Sequence, residues 1–235
     1  MIQTDLNDGV FTIVLNNPSK MNCIGFEMLY ALQAALNTAE EDENIQVVVL
    51  RGAGEKAFSS GANTKEFGAL TGKDVEKWIR LGNDIFNQLE NLSKPTVAFL
   101  NGYVMGGGFE MALACDFRLA NTSVVISNPE VGNGWLPGWG GMARLLRLVG
   151  EAHAKQIVLL SEKLDSTEAF RMGLITEVFE TENAEKELLN FTAKLKNIQP
   201  KIYSVAKRTL MDSGRTTYGS DVDFDVLAVQ LAQNK

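Results

Sequence analysis

Residues 95–110 read Pro95-Thr96-Val97-Ala98-Phe99-Leu100-Asn101-Gly102-Tyr103-Val104-Met105-Gly106-Gly107-Gly108-Phe109-Glu110. The first six form an apolar run without alternation, the pattern of a strand buried on both faces of a parallel sheet. Three consecutive glycines then open a helix expected over 109–114. Such a triplet carries a large entropic cost and is tolerated where backbone must approach something closely. At a helix start its free N–H groups point outward and favour negative charge. Glu110 sits in the first turn. Spacing alone serves equally well for tight strand–helix packing, with Glu110 a surface residue complementing the helix dipole.

Working outward, strand and helix alternate on both sides of this stretch. Ile45-Gln46-Val47-Val48-Val49-Leu50 is a second buried strand, and shorter strands are expected at 117–120, 124–126 and 175–179. Met28, Leu29, Leu32 and Leu36 mark one face of a helix over 26–41, and Trp78, Ile79, Ile85, Phe86 and Leu89 do the same over 75–92. Asn7-Asp8-Gly9 between two apolar segments signals a hairpin. Units of this size imply βαβ crossovers and a parallel sheet with helices packed outside. After Pro137 the pattern turns helical, with helices expected over 142–149, 152–160, 167–172, 184–196 and 201–212. The fold class is α/β: a core over residues 1–185 and a helical region over 186–235.

Composition narrows the function. The chain has 235 residues, 45% hydrophobic and 22% charged, with 22 Lys+Arg against 29 Asp+Glu and a net charge of -7. That balance disfavours binding to phosphate backbones, so no nucleic-acid partner is expected. Cys23, Cys115 and His153 offer no paired Cys/His spacing, so no metal site is expected. Both cysteines read as reduced core residues. With no signal region and no long apolar run, the expectation is a cytoplasmic protein without a membrane partner. Gly68-Ala69-Leu70-Thr71-Gly72-Lys73-Asp74 fails as a phosphate loop, being one residue short between its glycines and lacking Ser/Thr after Lys73. The glycines from Gly132 to Gly138 lack dinucleotide-fingerprint spacing.

Two further loops could carry chemistry. Phe58-Ser59-Ser60-Gly61-Ala62-Asn63 leaves backbone bare for a ligand, although Gly and Ser also make ordinary turns. The segment 128–141 combines Gly, Pro and two Trp with a single carboxylate, Glu130. A loop so apolar suggests a buried or ligand-facing segment, where desolvation would raise the Glu130 pKa and suit it to proton transfer.

In order and spacing these segments resemble the crotonase (enoyl-CoA hydratase/isomerase) superfamily. The likeness is carried by Asn16-Asn17-Pro18 with Met21-Asn22-Cys23, by 58–66, 101–110, Asn128-Pro129-Glu130, Pro137-Gly138-Trp139-Gly140-Gly141 and Arg144-Leu145, then by Leu159-Leu160-Ser161 and 169–175. The resemblance implies a spiral of ββα units with a C-terminal helical trimerisation region, assembled as a homotrimer or dimer of trimers. It implies an acyl-CoA thioester substrate and no separate cofactor, coenzyme A being part of the substrate.

The same resemblance assigns residues. The amides of Ala62 and Gly107 would form an oxyanion hole, and Glu110 and Glu130 would bracket a water that adds across the double bond of a 2-enoyl-CoA. Substrate contacts would come from Met21, Cys23, Ser60, Gly61, Ala62, Asn63, Thr64, Lys65, Gly106, Gly107, Trp135, Pro137 and Gly138. Two glutamates favour hydration. The alternatives are double-bond isomerisation and decarboxylation or dehydration of carrier-protein-bound thioesters. A non-catalytic, RNA-binding relative is disfavoured by the net charge.

Four departures from the family pattern stand out. Asn63 replaces the usual Asp, Asn133 an aliphatic residue, and Trp135 a Thr or Ile, which should shorten or flatten the acyl cavity. Trp139 reads equally as core. The sequence ends at Gln233-Asn234-Lys235, short of the basic helix that usually closes family sequences.

Overall fold

Val47, Val48, Val49 and Leu50 are all buried, as a run without alternation requires. They lie in β3 (Val47–Gly52), within a six-stranded sheet ordered β1-β2-β3-β5-β7-β10. The computed structural model describes residues 2–213. The end of the helical region 186–235, with Gln233-Asn234-Lys235, lies outside the described residues.

The hairpin pairs β1 (Ile2–Asn7) with β2 (Val10–Leu15), and Asp8 and Gly9 both take positive φ, as its two-residue turn demands. All other neighbours in this sheet are parallel: β2 with β3, β3 with β5 (Thr96–Leu100), β5 with β7 (Phe117–Asn121), and β7 with β10 (Glu177–Phe179). Side-chain alternation sends Val48 and Leu50 into one core and Val47 and Val49 into another. The first is closed by α1 (Phe26–Glu41) and α3 (Lys73–Asn91).

The second core is closed by α7 (Ala184–Lys196), whose Leu188, Phe191 and Leu195 bury against Val47, Val97, Phe99 and Leu119. This helix therefore seals a sheet face. Behind it, α8 (Pro200–Ser213) is tied to β5 through Asp116, which accepts from Tyr203 Oη and Lys207 Nζ at 3.0 Å each and from the Thr96 amide at 2.8 Å.

A second sheet, β4-β6-β8-β9, runs alongside. It is built from β4 (Ala57–Ser59), β6 (Tyr103–Met105), β8 (Val125–Ser127) and β9 (Lys163–Asp165). Each pass of the chain places a long strand in the first sheet and a three-residue strand in the second: β3 then β4, β5 then β6, β7 then β8. That repetition is the spiral of ββα units. Sequence periodicity points only to the β8 region, because three residues are too few to display a period.

Between the strands lie α2 (Thr64–Phe67), α4 (Gly107–Leu113), α5 (Gly141–Leu159) and α6 (Ser166–Arg171). As expected over 142–149 and 152–160, α5 consists of two helical segments that meet at a kink at Gly150, whose φ of 74 and ψ of 172 are not helical. The site forms where the ends of β4 and β6 deliver the chain to α2 and α4.

Candidate active site

The loop after β4 is pinned from both sides. Ser60 N donates to Met21 O at 2.8 Å, Ile24 N to Gly61 O at 2.8 Å, and Asn63 N to Ile24 O at 2.8 Å. Asn22 holds the opposing segment: its Nδ2 donates to Ala53 O and Ala57 O, and its Oδ1 accepts from Asn17 N. Gly61 has a φ of +86, and a Cβ there would stand 2.7 Å from Met105 O and 2.9 Å from Gly107 N. The two backbones thus pass in contact, which only glycine allows. Among the described residues, the amides of Ala62 and Gly107 are given no acceptor. Both residues line one cleft.

Each glycine of the triplet clears a different neighbour. A Cβ on Gly106 would meet Glu130 Oε1 at 2.5 Å, one on Gly107 the Trp139 ring at 2.4 Å, and one on Gly108 the Ser59 Cβ at 2.6 Å. Close approach to several groups, rather than strand–helix packing alone, explains the run.

Glu110 is 2% exposed, so it is not a surface residue at the helix start. Its Oε1 accepts from Gly141 N at 2.8 Å and Trp139 N at 3.0 Å. Burial pushes its pKa up, while those two amides and the Arg144 charge oppose the shift. Glu130 is half-buried, and its Oε2 accepts from Asn128 Nδ2 at 2.8 Å. Burial raises the Glu130 pKa to about 7, and the charge of Glu110 pushes in the same direction. The two carboxyls therefore feel one another across the cleft. They differ in support, since only Glu110 is held by two backbone amides.

The cleft is lined by Ala62, Gly107, Glu110, Glu130, Trp135 and Gly138 among the residues read from sequence. Gly61 and Gly106 lie buried behind it, and Pro137 is buried nearby. Met21, Cys23 and Ser60 lie outside the cleft lining, and Met21 borders a separate cleft with Pro18, Gly54 and Lys56. Asn63 caps α2, its Oδ1 accepting from Glu66 N at 3.4 Å, while Thr64 and Lys65 are exposed on that helix outside the cleft lining.

Phe67, Trp78, Ile79, Leu136 and Trp139 complete the lining; the sequence left Trp139 open between pocket and core and assigned none of the other four to the site. Trp78 and Ile79 carried only a core-packing signal, which a residue serving both core and cleft also satisfies. Trp135 stands at the mouth, 41% exposed, with its ring edge-on to Phe67 at 5.3 Å. Cys115 is buried, which pushes its thiol to about 12, and it takes no part in the cleft. Among the described residues no helix is long and apolar enough to cross a membrane, and no His/Cys/Asp/Glu group could hold a metal.

A family model described as Enoyl-CoA hydratase/isomerase matches residues 5–231. The chain is 38% identical over 184 residues to a short-chain-enoyl-CoA hydratase of Clostridium acetobutylicum, covering 77% of this chain and 70% of that protein. It is 33% identical over 183 residues to a crotonyl-CoA hydratase of Syntrophomonas wolfei, covering 78% and 70%. The crystal structure of an enoyl-CoA hydratase from Bacillus anthracis superposes with a TM-score of 0.95 at 29% identity, covering 100% of this chain and 91% of that one.

Proposed function

Since the chain belongs to the enoyl-CoA hydratase/isomerase family, we propose that it adds water reversibly across the 2,3 double bond of a 2-enoyl-CoA thioester. One observation carries the reading: a buried and a half-buried carboxyl in different environments share a cleft with two unengaged backbone amides.

Hydration needs charge stabilised on the thioester oxygen, a base for water and an acid for the α-carbon. The amides of Ala62 and Gly107 donate to the thioester oxygen, where charge develops as the enolate forms. Gly107 opens α4, so the helix dipole adds to that stabilisation. Glu110, its Oε1 fixed by two amides, orients a water and takes its proton as the oxygen bonds to C3. The alkene electrons pass into the thioester, giving an enolate. Glu130, with a pKa near 7, is available in its protonated form at neutral pH and delivers a proton to C2. Water is split between C3 and C2, and the carboxyls regain their starting states when the proton on Glu110 is returned to Glu130 through solvent. Coenzyme A enters as part of the substrate, and no further cofactor is needed.

The test is a panel of 2-enoyl-CoA and 3-enoyl-CoA thioesters followed by loss of conjugated absorbance and by product mass. Gain of one water on the 2-enoyl thioester is expected. Conversion of the 3-enoyl thioester without change in mass, and no hydration, would replace this reading with isomerisation.

A further inference from the structure

One side chain forms the inner wall of the cleft. Trp139 is 2% exposed, yet it lines the cleft beside Ala62, Gly107 and Glu110. Its indole spans from α4 to α3. At one end a Cβ on Gly107 would stand 2.4 Å from Trp139 Cζ3; at the other, a Cβ on Gly82 would stand 2.2 Å from Nε1. Both helices carry glycine where the ring touches them. Gly82 is buried mid-helix, where glycine is a poor helix former and its use calls for a packing reason. Trp78, at 5.1 Å and tilted, and Phe86, at 5.4 Å and edge-on, pack against the ring, and Nε1 donates to Trp78 O at 3.4 Å. The indole is wedged in one orientation.

The next step rests on the cleft being the thioester site proposed above. With the thioester oxygen on the Gly107 amide, the acyl carbons run from Gly107 past Glu110 and Glu130, and the indole starts at Gly107 and lies along that path. We infer that the Trp139 indole, seated in the Gly82 notch of α3, is the stop that restricts this site to short 2-enoyl groups. It is the amide of Trp139, not the indole, that donates to Glu110. Shortening the side chain therefore leaves that bond available. The competing arrangement has the ring as core filling and a long chain leaving past Trp135 and Leu136, which are exposed at the mouth.

Binding of saturated butyryl-, hexanoyl- and decanoyl-CoA to the unmodified protein, measured by calorimetry, requires no turnover. Affinity should fall at least ~10-fold from the shortest chain to the longest, the lower bound for a poorly fitted methylene. Affinity that is level or rises with length overturns the inference. Trp139→Ala and the bulkier Trp139→Leu, checked for folding by circular dichroism, should raise decanoyl binding relative to butyryl by roughly 10–200-fold. Because emptying a core can unfold a protein, the Leu variant decides if the Ala variant does not fold. If neither folds, the chain-length series on the unmodified protein decides. A folded variant with an unchanged ratio returns Trp139 to core filling and overturns the inference. Wild-type protein that discriminates saturated chains but hydrates no 2-enoyl thioester removes the hydratase reading and leaves this one standing. Hydration of every chain length alike does the reverse.

Discussion

At the scale of single residues, the proposed reaction places opposite demands on the two glutamates, one to hold a water and one to give a proton. Glu110→Gln and Glu130→Gln should each lower the hydration rate at least ~100-fold, within the usual worth of a general acid or base. The double variant should lose little more, because both groups serve one water. Glu130 also makes a stability prediction. Its pKa rises from 4.5 to about 7 on folding, so the folded state binds more protons between those values. Stability from this group is present below about pH 4.5 and is lost as pH rises through about 7. Glu130→Gln should therefore raise Tm relative to wild type at pH 8, with a smaller gain at pH 5, while lowering activity at both. Thermal melts at the two pH values check the sign. Wild-type hydration should also fall above about pH 7 as Glu130 loses its proton.

At the scale of elements, short pieces of structure aim the reactive groups. The loop bearing Ala62 ends in α2, a single turn whose cap is Asn63. Asn63→Ala removes that cap and should cost ~1 kcal/mol of stability, read by urea unfolding. In the proposed reaction kcat should fall more than KM rises, since the displaced amide donates to an oxygen whose charge develops in the transition state. Asn63→Asp keeps the capping oxygen but gives up the donation from Asn63 Nδ2 to Glu66 Oε2 and sets two carboxylates together. The family's usual Asp should therefore be no improvement here. In the segment 128–141, Trp135 stands at the mouth against Phe67. Trp135→Ala should widen acceptance of branched acyl groups, and unchanged preference across a branched and unbranched panel would reject that role.

At the scale of the whole molecule, one chain leaves large apolar side chains in water. Met142 and Leu146 on α5, Leu159 and Leu160 at its end, Phe170 on α6 and Leu189 on α7 are each more than two-fifths exposed. Isolated exposed hydrophobics are ordinary, but so many on helices flanking the spiral favour burial between copies. We expect a homotrimer or a dimer of trimers, which closed symmetry permits. Sedimentation equilibrium at micromolar concentration should give a mass of three or six chains, and a monomer would reject it.

The sequence by itself determined the parallel sheet, the long helices and the family, because buried strands and amphipathic helices write their burial into consecutive residues. Val47–Leu50, Phe26–Glu41 and the break at Gly150 are of this kind. It also marked Glu110, Glu130 and the Gly106–Gly108 triplet as unusual, without separating a ligand-facing role from packing. Only the tertiary structure shows what each of these residues packs against. That Gly106 clears Glu130, Gly107 clears Trp139 and Gly108 clears Ser59 depends on groups up to 49 positions away in the chain. The second sheet, made of three-residue strands, is apart from the β8 region invisible to periodicity and exists only because the spiral brings its strands side by side. The same holds for Trp78 and Ile79, which read as part of one apolar helix face. A helix pattern reports that a side is buried, but only the packed chain decides whether what buries it is core or a cleft.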